Sequence, residues 1–139
     1  MPTLSRYFIK TGMLYLIAGL AMTLAMFLQP LLGWSSVLQA FYPVYLHFIF
    51  VGWVTQIIMG VAYWMFPKKS KEDPRGNPLW GWAVYVCLNV GLLLRAVGEP
   101  TMAVNPASGW GWTLTLAAAL MLAAGWIFVC ISWNRVKER

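Results

Sequence analysis

Four apolar stretches, near residues 8–29, 43–66, 79–98 and 110–134, dominate the sequence and limit what it can become. Each is close to the roughly 20 residues a helix needs to cross about 30 Å of hydrocarbon. A water-facing domain has no use for them: 60% of the 139 residues are apolar and only 10% are charged, against roughly 25% charged in soluble domains. The reading is an all-α integral membrane four-helix bundle, a single transmembrane domain over 1–139. The segments between the stretches are too short for a nucleotide-binding or hydrolase domain. Function is therefore expected inside the bilayer, at its surfaces or in an assembly.

The apolar core of the first stretch, Thr11 to Leu28, is longer than the core of a secretory leader and lacks a small-x-small cleavage site, so it is read as a retained helix. Lysine and arginine set the orientation. Arg6 and Lys10 precede the first helix, Lys68, Lys69, Lys71 and Arg75 lie between the second and third, and Arg135, Lys137 and Arg139 follow the fourth. All these places fall on one side of a four-span chain. The positive-inside rule makes that side cytoplasmic, with both termini inside and the nearly uncharged segments around 30–42 and 99–109 outside. The net charge of +6 is thus a topology signal and a contact for anionic lipid, not a nucleic-acid patch. Pro30, Pro43, Pro67, Pro78, Pro100 and Pro106 are all expected at helix ends, where a missing N–H breaks no helical bond. Cys87 and Cys130 suggest neither a disulfide nor a metal motif.

Polar side chains are costly in hydrocarbon, so each one inside a span is a candidate unless packing explains it. His47, the only histidine, is expected about one turn inside the outer end of the second helix. At a helical period it shares a face with Val51, Val54, Ile58, Ala62 and Met65, an apolar stripe able to line a flat hydrophobic cofactor. The opposite face carries Gly52, Gln56, Gly60 and Tyr63, a small-and-polar seam suited to close helix contact and an interhelical hydrogen bond. Arg95, near the outer end of the third helix, is the one basic residue that breaks the positive-inside pattern. Pairing with Glu99, four residues on, is the plain explanation; an acidic group on a ligand near His47 is the sharper one. Asn89, Thr55, Gln56, Thr113 and Thr115 are read as interhelical hydrogen-bonding groups without chemistry. Scattered methionines are read as gap fillers, with Met102 in the outer segment the one within reach of a metal near His47.

His47, then Gly52-Trp53, then the run Met59-Gly60-Val61-Ala62-Tyr63-Trp64-Met65-Phe66-Pro67 resemble the second helix of the haem-copper oxidase catalytic subunit. The nitric oxide reductase and cbb3-type branches are the most similar. That helix carries a haem-ligating histidine near its outer end and a run like G-x-A-Y-x-x-x-P at its inner end. The similarity extends more weakly into the third helix, covering about 43–100. It implies that this chain resembles one four-helix arc of a three-arc subunit, with His47 matching the low-spin haem ligand. The departures weigh as much: there is no histidine pair for copper and no second haem-ligating histidine. No copper site is expected within one chain, no residue is assigned a catalytic role, and reduction of oxygen or nitric oxide by this chain alone is not expected.

A closed ring of identical chains would supply the missing ligand. The expectation is a haem b held between protomers of a homo-oligomer, a trimer being favoured by the family's pseudo-symmetry and a dimer being the simpler alternative. His47 would be the axial metal ligand, Arg95 would lie near the propionates, and Val51 and Val54 against the macrocycle. This chain would then serve electron transfer, haem handling or gas sensing in a bacterial plasma membrane, the location following from the resemblance. The competing reading is a cofactor-free accessory or structural subunit packed against respiratory-chain subunits. A proton-coupled small multidrug-type transporter is weaker, because the acids are only Glu72, Asp73, Glu99 and Glu138, three of them in segments read as cytoplasmic.

Overall fold

The computed structural model describes residues 1–67 and 76–136. Every regular element among them is helical. Four helices are long and apolar enough to cross a membrane: α1 (Thr3–Leu32), α2 (Ser36–Met65), α3 (Pro78–Val104) and α4 (Gly111–Trp133). Lys68, Lys69, Lys71, Arg75, Lys137 and Arg139, on which the expected orientation partly rests, lie outside the described residues, as do Glu72, Asp73 and Glu138.

Local chemistry accounts for most of the boundaries. Gly33 ends α1 in the left-handed conformation (φ 65°), and its N–H reaches back to the Gln29 carbonyl, a closure that costs a glycine no Cβ clash. Asn77 caps α3 by accepting the Leu79 N–H at 2.9 Å, with Pro78 in the first turn where its missing donor is harmless. Two prolines depart from expectation. Pro30 lies inside the last turns of α1, and Pro100 lies inside α3, which continues to Val104. The apolar stretches mark the part of each helix suited to hydrocarbon, whereas backbone hydrogen bonding carries the helices into the flanks. One lost bond near a membrane-helix end does not stop it.

The larger departure is inside α2. A 3-10 turn (Ser36–Phe41) leads into a short α-helical segment (Tyr42–His47), then a π-helical one (Phe48–Thr55), then α-helix again (Gln56–Met65). Bonds from i to i+5 widen the turn, so the 3.6-residue period on which the stripe below His47 was predicted does not run through this segment. Thr55 fits the wider turn, its hydroxyl donating to the carbonyl of Phe50, five residues back, at 2.8 Å.

Helix α1 packs along α2, and α3 along α4. The seam of Gly52, Gln56, Gly60 and Tyr63 is buried as expected. Gly52 meets the Tyr15 ring and Gly60 meets Phe8; a Cβ on Gly60 would stand 2.6 Å from the Phe8 Cβ. Gln56, fully buried, supplies the expected interhelical bond by donating to the Phe8 carbonyl at 3.3 Å. Three other polar candidates bond locally: Asn89 to the Tyr85 carbonyl, Thr55 to Phe50 and Thr113 to Trp110. Such groups readily return to carbonyls of their own turn. Further polar bonds between helices join Thr11 and Tyr85, at 2.7 Å between α1 and α3, and Gln39 and Gln29, the former donating to the latter's Oε1 at 2.7 Å between α2 and α1.

Two apolar clusters fill the bundle. One contains Leu4, Phe8, Met59, Tyr63, Val84, Leu88 and Ala124; the other contains Tyr15, Val44, Phe48 and Leu92. Large apolar side chains also cover the outside, including Leu24, Phe27, Ile58, Leu122 and Trp126, as suits helices that meet lipid rather than water. The starts of α1 and α3 and the ends of α2 and α4 share one end: Gly81 lies against Leu4 and Tyr63, and Arg135 reaches the Tyr63 carbonyl. Arg6, Lys10 and Arg135 therefore stand at a basic end, and His47, Arg95 and Glu99 at the opposite, histidine end.

Candidate functional site

Two helix faces build the histidine end. On α2, Val44 and Phe48 are four residues apart and buried, which seats the turn between them on the cluster and leaves His47 at its margin. On α3, Leu92 is fully buried and Ala96 packs against the same cluster. Arg95 and Glu99, three and seven residues beyond Leu92, continue that face toward α2.

The result is a chain of three polar side chains across two helices. The His47 Nδ1 lies 2.8 Å from the Pro43 carbonyl and 3.5 Å from Glu99 Oε1. Arg95 donates through its guanidinium to the same Glu99 oxygen. A carbonyl oxygen can only accept, so in the neutral ring the proton of this bond sits on Nδ1 and the lone pair on Nε2. The His47 side chain keeps 27% of its surface exposed and Glu99 only 9%. Glu99 Oε2 and Arg95 Nε are buried without a partner among the described residues. Buried polar atoms in folded proteins are nearly always satisfied, so two orphans on adjoining side chains mark a place where a further group belongs.

The expected site residues are partly brought together. His47 and Arg95 meet through Glu99, for which sequence spacing suggests only the local partner Arg95. Val54 is exposed on α2, whereas Val51 turns inward and packs against both apolar clusters. The widened turn separates these two valines from a common stripe. Met102 is held by the Ser108 hydroxyl, which donates to its sulfur at 3.7 Å. Cys87 is half-buried and Cys130 exposed, both as free thiols.

At the basic end the structure holds a polar site that charge counting had hidden. Arg135, only 2% exposed, donates from Nε to the Pro67 carbonyl at 3.1 Å and from Nη2 to Tyr63 and Phe66 carbonyls at 3.1 and 2.9 Å. Its guanidinium also lies 5.7 Å from the Tyr63 ring centre and 5.9 Å from that of Phe66. These carbonyls end α2, where the helix dipole is negative and the last C=O groups lack helical donors. The residue read as a membrane-border charge is thus a cap that joins the end of α4 to the end of α2.

Compared with models of protein families, with curated proteins and with solved structures, the chain matches none of them.

Proposed function

We propose that the chain is a haem-binding membrane protein in which His47 is an axial ligand, serving electron transfer, haem handling or gas sensing. The observation that carries the reading is the hydrogen bond from His47 Nδ1 to the Pro43 carbonyl, with the Glu99 carboxylate just beyond it. Metal-ligating histidines almost always donate their second ring nitrogen to such a carbonyl or carboxylate, which fixes the tautomer and makes the other nitrogen a better donor. The orphaned Nε of Arg95 is a charged donor suited to a propionate oxygen. The donor set fits one face of a haem b. When bound, that group would supply one-electron chemistry or a gas-binding position, and the chain's own residues would hold and orient it.

In this reading the His47 ring would hold the haem iron through Nε2, Pro43 and Glu99 would hold the ring, and Val54 would offer apolar surface nearby. Val51, turned into the core, supports the helix rather than the macrocycle. A second copy of the chain supplies the opposite face, in a homotrimer or a homodimer. The basic end faces the cytoplasm of a bacterial cell. The resemblance to one arc of the haem-copper oxidase subunit belongs to the same proposal. No copper centre is assigned to the chain.

The test is an absorption spectrum of the purified, haem-replete protein with pyridine haemochrome analysis, run beside a native mass measurement. A Soret band that His47→Ala abolishes is expected. A colourless protein, or a band unchanged by that substitution, overturns the reading. Arg95→Leu should lower haem retention more than Glu99→Gln, because it removes the propionate contact and leaves the Glu99 charge unpaired. The second reading, a cofactor-free accessory subunit of a respiratory complex, draws on the same hydrogen bond taken as purely structural. It predicts a colourless chain that tolerates His47→Gln and co-purifies with respiratory subunits.

A further inference from the structure

We infer that Glu99 is the positioning residue of the histidine end, the carboxylate that ties α3 to α2 and holds the His47 imidazole with its proton on Nδ1 and its lone pair on Nε2. Two acceptors address that nitrogen. The Pro43 carbonyl belongs to the same helix as His47 and moves with it, so by itself it cannot fix the ring relative to the rest of the bundle. Glu99 belongs to α3, and its Oε1, 3.5 Å from Nδ1, is a contact that joins the ring to another helix. Arg95 holds the same oxygen from one turn below, which aims the carboxylate at α2 in a setting only 9% exposed. A carboxylate behind the ring adds electron density to Nε2, as the outer-shell partners of metal-binding histidines do. What Nε2 would bind rests on the haem reading; the tautomer and the role of Glu99 do not.

Because His47 is the only histidine in the chain, the imidazole can be observed alone. The full chain, haem-free in lipid nanodiscs at neutral pH and labelled with ring-15N histidine, should show a protonated Nδ1 and an unprotonated Nε2. Glu99→Leu should weaken the Nδ1–H hydrogen bond and admit the Nε2–H tautomer, and Glu99→Gln, which keeps an acceptor but no charge, should fall between. An Nε2–H tautomer or an imidazolium in the unsubstituted protein overturns the inference, as does a ring spectrum indifferent to both Glu99 substitutions. Haemin titration separates the two claims. Glu99→Leu should lower affinity by about 10–100-fold, the usual effect of losing an outer-shell partner, with Glu99→Gln recovering part of it. Failure of the unsubstituted protein to take up haemin, with the expected tautomer in place, would refute the haem reading and leave Glu99's role standing.

Discussion

Each end of this bundle buries a charged or ionisable cluster, and the two are built oppositely. At the basic end, Arg135 meets three backbone carbonyls at the end of α2 and two aromatic faces. These three acceptors are main chain, fixed by the helix itself. At the histidine end, His47, Glu99 and Arg95 hold one another mainly through side chains, and Glu99 Oε2 and Arg95 Nε stay buried without partners among the described residues. The first arrangement uses charge to close a helix end. The second spends desolvation on groups that are not fully used among the described residues, the pattern expected of a site awaiting something else.

The contrast is open to attack, beginning where the largest effect is expected. Arg135→Leu would abandon the carbonyls of Tyr63, Phe66 and Pro67 and should lower unfolding free energy by about 3 kcal/mol, the scale for hydrogen bonds to a charged group. Denaturant titration in mixed micelles reads this, and the haem band of the folded fraction should not change. A band lost in step with the clamp would dissolve the distinction between the ends. Next, Gly60→Leu drives a side chain into Phe8 at the seam of α1 and α2, with an expected cost of about 1–3 kcal/mol in the same titration.

His47→Ala should shift stability by no more than about 1 kcal/mol, the net value of one hydrogen bond, while removing the Soret band. A stability loss as large as that of Arg135→Leu would make the histidine a structural clamp too. The smallest effect belongs to Gln56→Leu. It forfeits a single 3.3 Å bond to Phe8 and removes an Oε1 that has no partner among the described residues, so about 0.6 kcal/mol, the average for interhelical bonds in a membrane bundle, is expected.

The seam of Gly52, Gln56, Gly60 and Tyr63 was legible because small and polar residues at helical spacing have few uses in a membrane other than close packing. The proximity of His47 and Arg95 was legible because topology puts the start of α2 and the end of α3 at one level. The inward turn of Val51 was not, since it depends on the π-helical segment Phe48–Thr55, and apolar residues such as Phe48, Ile49 and Phe50 carry no mark of a widened turn. Nor was the clamp at Arg135 legible, because a basic residue beyond a span reads the same whether it faces lipid headgroups or carbonyls. A useful signal was the Pro67 after α2, which marks a helix end whose carbonyls need donors from elsewhere.

The sequence by itself determined that four helices would form and how long their apolar parts would be. Hydropathy and backbone bonding act over neighbouring residues, and lipid leaves an apolar stretch of this length one regular option. Only the tertiary structure decided that Val51 turns into the core, that Glu99 reaches His47, and that Arg135 closes a helix far from it in the chain. Those outcomes depend on how helices rotate and pair, which is settled by contacts between residues distant in sequence and leaves no local trace.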